Sequence, residues 1–417
     1  MIHSFFQRKF YILTSLYTFT VFVSNDSFLP AIPEIAHYFG FAEGDYGTVQ
    51  LGVSAFLWLT LAFQLIAGPL SDRFGRRPTL LLGATLFIVA NSMVTFAPSI
   101  GWFLFWRAVT GLAICAIFAA AYAAINEHYT NADAIKALGL SATIVILAPM
   151  AGPVIGLALM KIGGWKFTFW ANSVFMVLIL LLLNAYMPET RKLPENGTTP
   201  SLRQNIWAIF KMSRERDFLL ISISSAFCGA AFLVWITAGV SMLCSNLGLS
   251  EAEFVLYNIP VMLGLMLGNF LSAYITKDVP KTVYRMMFCS SALIPLFVFL
   301  GYVQVHHQLA SEISILTHLS APILFIVPMA LFSFFRGVLN PPLTQFILNK
   351  QNTNKGSASS FMSFIGIIGS ITGATVAASL SGAGNNAYYY TISAFILCAL
   401  VFFLLAERSV KRSIVTI

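Results

Sequence analysis

Long apolar runs, most of about twenty residues or more, follow one another along this chain, separated by short clusters of charge, proline and glycine. A run of that length crosses a hydrocarbon core of about 30 Å as an α-helix. Twelve such runs stand at about 10–33, 46–69, 79–97, 100–128, 136–160, 165–187, 217–243, 252–275, 282–304, 320–348, 356–380 and 386–406. The chain is 58% hydrophobic and 10% charged, whereas soluble domains carry about 25% charge. No soluble fold can hide this much apolar surface. A membrane barrel would show alternating segments of about ten residues instead. The expected fold class is an all-α polytopic membrane protein with twelve transmembrane helices.

The longest polar stretch in the middle of the chain, 188–216, holds Arg191, Lys192, Arg203, Lys211, Arg214 and Arg216. It divides the runs into six plus six. The expected organisation is an N-terminal six-helix bundle (1–187), a cytoplasmic linker (188–216) and a C-terminal six-helix bundle with a short cytoplasmic tail (217–417). With both termini cytoplasmic, 20 of the 24 basic residues lie on the cytoplasmic side, and the opposite face keeps only Lys161 and Lys166. That asymmetry follows the positive-inside rule. It accounts for the net charge of +8 through loops that face anionic headgroups of the bilayer, so no nucleic-acid partner is expected. The first run enters its helix without a small-residue cleavage site and reads as a permanent span. Cys115, Cys228, Cys244, Cys289 and Cys398 all sit in apolar runs and read as small core residues. His306, His307 and His318 lack ligand spacing, so no metal is expected.

Three charges fall where a bilayer makes them costly, and such residues usually face a cavity with partners. Asp26 lies about 16 residues into the first run, next to Ser24, Asn25 and Ser27. A carboxylate there can hold either a proton or a cationic partner, as a proton-coupled carrier requires; a purely structural pairing with an arginine is the alternative. Thr18, Phe22 and Asp26 recur every four residues and share a helix face. Arg107 starts about 10 Å inside the fourth run. An arginine stays charged, so it can tune a neighbour's protonation but cannot titrate itself; anchoring helices through carbonyls is its bland role. Arg336 precedes Asn340, Pro341 and Pro342 in the tenth run. Two prolines should kink or open that helix, and broken helices tend to line cavities. Arg336 and Asn340 share a face and are candidate ligand contacts, with snorkelling or carbonyl capping as the alternative.

The fifth run carries Ala148-Pro149-Met150-Ala151-Gly152-Pro153-Val154-Ile155-Gly156. Pro149, Gly152, Pro153 and Gly156 weaken the helix and strip its surface of bulk, which suits a hinge and a close helix contact. No Gly-Lys-Ser/Thr element or strand accompanies any glycine-rich stretch, so no nucleotide cofactor is expected. Between the second and third runs stands Gly68-Pro69-Leu70-Ser71-Asp72-Arg73-Phe74-Gly75-Arg76-Arg77-Pro78, a tight loop too charged to enter hydrocarbon.

This loop resembles the conserved loop between spans two and three of the major facilitator superfamily. Arg107 with Gly111 resembles that family's span-four motif, and the 148–156 segment is similar to the motif of its drug–proton antiporters. The chain is thus identified as a twelve-span member of the drug–proton antiporter branch, similar to bacterial multidrug, chloramphenicol and bicyclomycin efflux proteins. The resemblance implies a transporter and not an enzyme, driven by a proton gradient with no cofactor, taking small-molecule substrates and protons, and working as a monomer in the bacterial inner membrane. It implies alternating access of the two halves about a central site. Carried over residue by residue, Asn25 and Asp26 match a span-one pair that couples proton and substrate, and Arg107 matches the membrane arginine beside it. Tyr122 matches a cavity tyrosine and Glu127 the acid below it. Thr18 stands where that branch has a second membrane carboxylate. Gly68, Asp72, Arg73, Gly75, Arg76, Arg77 and Glu127 would form a conformational gate. Trp58 and Trp235 are further candidate wall residues. The expected function is proton-coupled efflux of small amphipathic compounds. The alternative is import or export of a specific carboxylate-bearing metabolite, with Arg107 and Arg336 contacting the anion.

Overall fold

A computed structural model of the protein describes residues 10–42, 47–191, 202–240, 251–276, 278–307, 314–349, 355–380 and 384–415. Among these residues the regular structure is helical. The elements are α1 (Tyr11–Asp26), a 3₁₀ turn (Leu29–Ala31), α2 (Ile32–Tyr38), α3 (Gly47–Phe74), α4 (Arg76–Thr95), α5 (Ile100–Thr110), α6 (Leu112–Ala116), a π-helical turn (Ile117–Ala121), α7 (Tyr122–His128), α8 (Asn131–Tyr186), α9 (Leu202–Arg214), α10 (Arg216–Val240), α11 (Glu251–Ile275), α12 (Val279–Ser291), α13 (Ile294–His307), α14 (Ser314–Asn349), α15 (Lys355–Ser379) and α16 (Gly384–Val415). Eight helical stretches among the described residues are long and apolar enough to cross a membrane. Each of the twelve runs read from the sequence falls on one of these elements or a consecutive set of them.

The first, fourth and ninth runs are each interrupted where one continuous helix was expected. The first is not one helix: α1 ends at Asp26, whose carbonyl finds no N–H on Pro30, and the chain passes into the Leu29–Ala31 3₁₀ turn. The fifth and sixth runs both lie in α8, and its non-helical residues, Gly163 and Gly164, fall in the gap expected between them, the latter at φ 70°, a backbone that residues with a Cβ avoid. The segment 149–156, expected to weaken its helix, keeps helical backbone. The prolines at 341 and 342 do not open α14 either, which continues as helix through Asn349. Pro342 frees the carbonyl of Val338, and the Ser272 hydroxyl of α11 donates to it at 3.0 Å. A neighbouring helix therefore satisfies the freed group.

The chain divides into two compact units, Met1–Phe210 with Gln351–Ser363, and Lys211–Lys350 with Phe364–Ile417. In the first unit, Phe10, Leu13, Tyr17 and Val21 meet Leu80, Ala84 and Phe87 of α4, and Met176, Ile179 and Leu183 of α8. All recur at helical spacing, so each helix presents one stripe. The α6–α7 stretch contributes Ala113, Ala120 and Ala124. In lipid there is no hydrophobic gain between helices, so close approach over small residues supplies the attraction. In a second cluster Phe103, Trp165 and Phe169 pack ring edge against ring face, and Phe28 lies tilted against Phe103 and Phe169. In the second unit, α10 and α16 are joined by Phe227 stacked on Phe402 at 5.5 Å and by the Ser224 hydroxyl on the Ala399 carbonyl at 2.7 Å. Asp278 caps α12 by accepting the Lys281 N–H at 3.1 Å, which holds its carboxyl below the usual range.

Candidate functional site

The end of α1 carries the first constellation. Arg107 on α5 is fully buried, and its Nη2 donates to Asn25 Oδ1 at 2.9 Å. Asn25 Nδ2 in turn donates to Asp26 Oδ1 at 3.2 Å. The arginine thus reaches the carboxylate through an amide: among the described residues the ion pairs involve neither Asp26 nor Arg107. The guanidinium carbon lies 4.4 Å from the Phe28 ring centre, 5.7 Å from Phe169 and 5.9 Å from Phe56. A buried cation needs such compensation, and each ring face offers about 0.5–2 kcal/mol. Asn25 and Asp26 remain half-buried. The arrangement holds one permanent charge deep in the unit and one accessible carboxylate tied to it by a polarisable link.

Helix α8 closes over this segment through two glycines. A Cβ at Gly152 would stand 2.7 Å from Asp26 Cβ, and one at Gly156 would strike the Ser27 carbonyl. Asn172 Nδ2 donates to Ser27 Oγ at 3.2 Å, and Asn91 Nδ2 to Ser24 Oγ at 3.1 Å. In the sequence Asn91 reads only as a polar residue that shortens the third run, and Asn172 and the three phenylalanines carry no site signal, because an isolated amide or ring in an apolar run has no telling spacing. Of the fifth-run residues, Pro153 is half-buried, and the Pro149 side chain lies outside the described ones. Thr18 is buried and donates to the Thr14 carbonyl at 2.8 Å. Phe22 packs against the core. Tyr122 directly follows the π-helical turn, its ring 5.7 Å from Phe118. A π turn inside an α-helical span is rare and frequently marks functional sites.

The second constellation gathers at the α3–α4 loop. Arg76 donates to Asp72 Oδ1 at 2.7 Å, to Ser71 Oγ at 3.1 Å and to both Glu127 oxygens at 2.5 and 3.1 Å. Arg76 and Asp72 are buried. Asp72 also accepts the backbone N–H groups of Gly356 at 3.0 Å and Ser357 at 2.8 Å, and the Ser357 hydroxyl at 2.5 Å. These N–H groups are the first of α15 and have no partners within their own helix, so a carboxylate there also meets the positive end of the helix dipole. Gly68 leaves room for this approach, since a Cβ would stand 2.7 Å from both the Gly356 carbonyl and Ser357 Cα.

Gly75 takes φ +107° and faces the Glu189 carboxylate, which accepts the N–H groups of Arg76 at 3.0 Å and Arg77 at 3.2 Å. Thr190 donates to Glu127, and Arg191 to the Arg73 carbonyl. Arg77 bonds Asn184, and the Arg73 guanidinium lies 5.4 Å from the Phe74 ring. Neither arginine joins the ion-pair cluster. Glu189 and Ser357 escaped the sequence reading: one reads as a linker charge, the other lies 285 residues from its partner.

In the second unit, Arg336 lies 4.7 Å from the Phe232 ring centre, half-buried, and forms no ion pair among the described residues. Asn340, one turn on, is exposed. Trp235 is fully buried and donates to Asn258 Oδ1 at 2.9 Å. In the first unit Trp58 is 66% exposed. Cys115, Cys228, Cys289 and Cys398 are free thiols, and Cys244 lies outside the described residues. No metal-binding cluster occurs among the described residues.

The family model described as Major Facilitator Superfamily matches residues 14–350. The multidrug transporter MdfA of Edwardsiella piscicida is 28% identical over 399 residues, covering 95% of this chain and 93% of its own. The multidrug resistance protein MdtM of Escherichia coli O157:H7 is 27% identical, covering 84% and 81%. Among solved structures, the human organic anion transporter MFSD10 aligns with a TM-score of 0.73 at 16% identity, covering 95% of this chain and 99% of its own. The proton:xylose symporter XylE aligns at 0.71 and 14%, covering 96% of each. At these identities the structural likeness speaks for the fold.

Proposed function

The chain belongs to the Major Facilitator Superfamily, a family of transporters and not enzymes, and on that premise we propose that it exports small amphipathic compounds across the bacterial inner membrane in exchange for protons. The multi-pass fold and the multidrug relatives support this reading. So does the bias of basic residues toward alternate loops, which by the positive-inside rule favours cytoplasmic termini. The observation that carries it is the chain Arg107–Asn25–Asp26. Asp26 is a half-buried carboxylate in an apolar span, held beside a cation that cannot release its proton. A positively charged substrate and a proton compete for such a group, and that competition couples their fluxes. The cycle alternates access to the two membrane faces, needs no cofactor beyond the proton gradient, and runs within one monomer. The loop around Asp72 acts as a gate.

The test is drug transport in proteoliposomes under an imposed pH gradient. Asp26→Asn removes the titrating oxygen and nearly keeps the shape. It should lower gradient-driven transport at least about tenfold, equivalent to about 1.4 kcal/mol, with unchanged thermal unfolding. Gradient-driven transport at the wild-type rate would sink the assignment.

A second reading is favoured by Arg336, which has no acidic partner among the described residues and whose capping duty at Val338 is taken by Ser272. An arginine so placed suits a carboxylate, with which it forms paired hydrogen bonds, and the substrate would then be anionic or zwitterionic. Arg336→Ala should weaken binding of a carboxylate ligand about tenfold more than that of its neutral amide, by titration of the purified protein. Equal loss for both would return the substrate to the plain amphipathic class.

A further inference from the structure

We propose that the groove on the first unit between α3, α4 and α6 binds one anionic phospholipid, its acyl chain along the apolar lining and its phosphate on Arg73. The groove has a volume of about 470 Å³, with Phe63, Ile66, Phe74, Leu82, Leu86 and Leu112 among its lining residues. That lies within the range of about 300–1,000 Å³ of small-molecule sites. Phe74 and Leu82 are 60% and 58% exposed, so the groove opens on the outside of the unit. Asp26, Arg107 and Tyr122 are not among its lining residues, which separates it from the proposed coupling site.

The lining alone selects nothing. An acyl chain that enters the groove leaves equally apolar surroundings, so it gains packing but no hydrophobic transfer energy. Selectivity must come from the headgroup, and a cation suited to it stands beside the groove: Arg73 is not a lining residue, but it adjoins Phe74, which is. Arg73 occupies the last turn of α3, next to Phe74, its guanidinium 5.4 Å from that ring. The other arginines nearby are committed: Arg76 to Asp72 and Glu127, Arg77 to Asn184, and Arg191 to the Arg73 carbonyl. The acids are committed too, Asp72 and Glu127 to Arg76, and Glu189 to the first N–H groups of α4. Arg73 is exposed, and its guanidinium forms no ion pair or hydrogen bond among the described residues. A planar guanidinium at the end of a membrane helix matches a phosphate with paired hydrogen bonds; phosphatidylcholine carries that phosphate too, but its choline cation cancels the charge and repels Arg73, so an anionic lipid is preferred. Its level at the interface is where anionic headgroups lie.

The experiment is native mass spectrometry of the full-length protein in detergent, with phosphatidylglycerol and phosphatidylcholine of identical chains added at equal concentration. One phosphatidylglycerol should be retained about fivefold over phosphatidylcholine, the factor that one basic residue near an anionic surface supplies. Arg73→Gln should bring that ratio to about one. Leu82→Trp, which fills the groove, should reduce retention of both lipids. Millimolar inorganic phosphate should not displace the bound lipid, because the acyl chain contributes to holding it. Equal retention of the two lipids by the wild type, an unchanged ratio in Arg73→Gln, full retention in Leu82→Trp, or displacement by phosphate would each overturn the proposal. Thermal unfolding of both variants checks that they are folded. Arg73→Gln changes an exposed side chain and decides the matter alone should Leu82→Trp fail to fold.

Discussion

Gly152 shows how a residue without a side chain shapes the chemistry of another. Its Cα lies so close to α1 that an added Cβ would stand 2.7 Å from Asp26 Cβ, and neither atom can rotate away. Gly152→Ala should therefore push α1 and α8 apart, at a cost of about 1–3 kcal/mol, typical of overpacking, and impair transport through the displaced Asp26. Gly101→Ala is the matched control, since nothing lies within 4 Å of its Cβ position. Thermal unfolding of the two variants separates the accounts: equal melting temperatures would mean that the helices yield freely at Gly152. The position was legible as a small residue in a proline–glycine run. Its partner was not, because the contact joins residues 126 positions apart. Arg107 was readable for the opposite reason, since a permanent charge in an apolar run demands an explanation wherever its partners lie.

At the scale of elements, the first turn of α15 is fastened by one carboxylate. Asp72 accepts two backbone N–H groups and a hydroxyl from Gly356 and Ser357 while it pairs with Arg76. Asp72→Asn removes the charge that serves both the helix end and the arginine. Spin labels near the end of α3 and the start of α15 should then report longer and broader distances, and an unchanged distribution would count against the gate. A coupling of a few kcal/mol suffices to shift such a two-state equilibrium substantially. The Gly68–Pro78 loop announced itself because its charges cannot enter hydrocarbon, and the structure makes buried bonds from two of them. Glu189 was hidden: directly after Pro188 it looks like the first charge of a linker, yet it caps α4, whose preceding residue Gly75 has no side chain to do so. The expected proline breaks fail for a related reason. Proline content alone points to 149–156 and 341–342, which stay helical, with Ser272 repairing what Pro342 removes; the chain yields at Gly163–Gly164, in the gap that the ends of the fifth and sixth runs already left.

Over the whole molecule, the number, length and charge of the apolar runs carried most of the fold, because lipid leaves the backbone few alternatives to helix. The pairing of those helices depends on contacts between distant residues and had to come from the structure. The exchange of a proton for substrate at Asp26 is what drives the proposed cycle. It is tested most directly by the protons released when purified protein binds a lipophilic organic cation in weakly buffered solution near neutral pH. The wild type should release protons, most at the pH where Asp26 is mostly protonated before binding, and Asp26→Asn should release none even when that variant still binds the cation. Equal proton release from both proteins would contradict it.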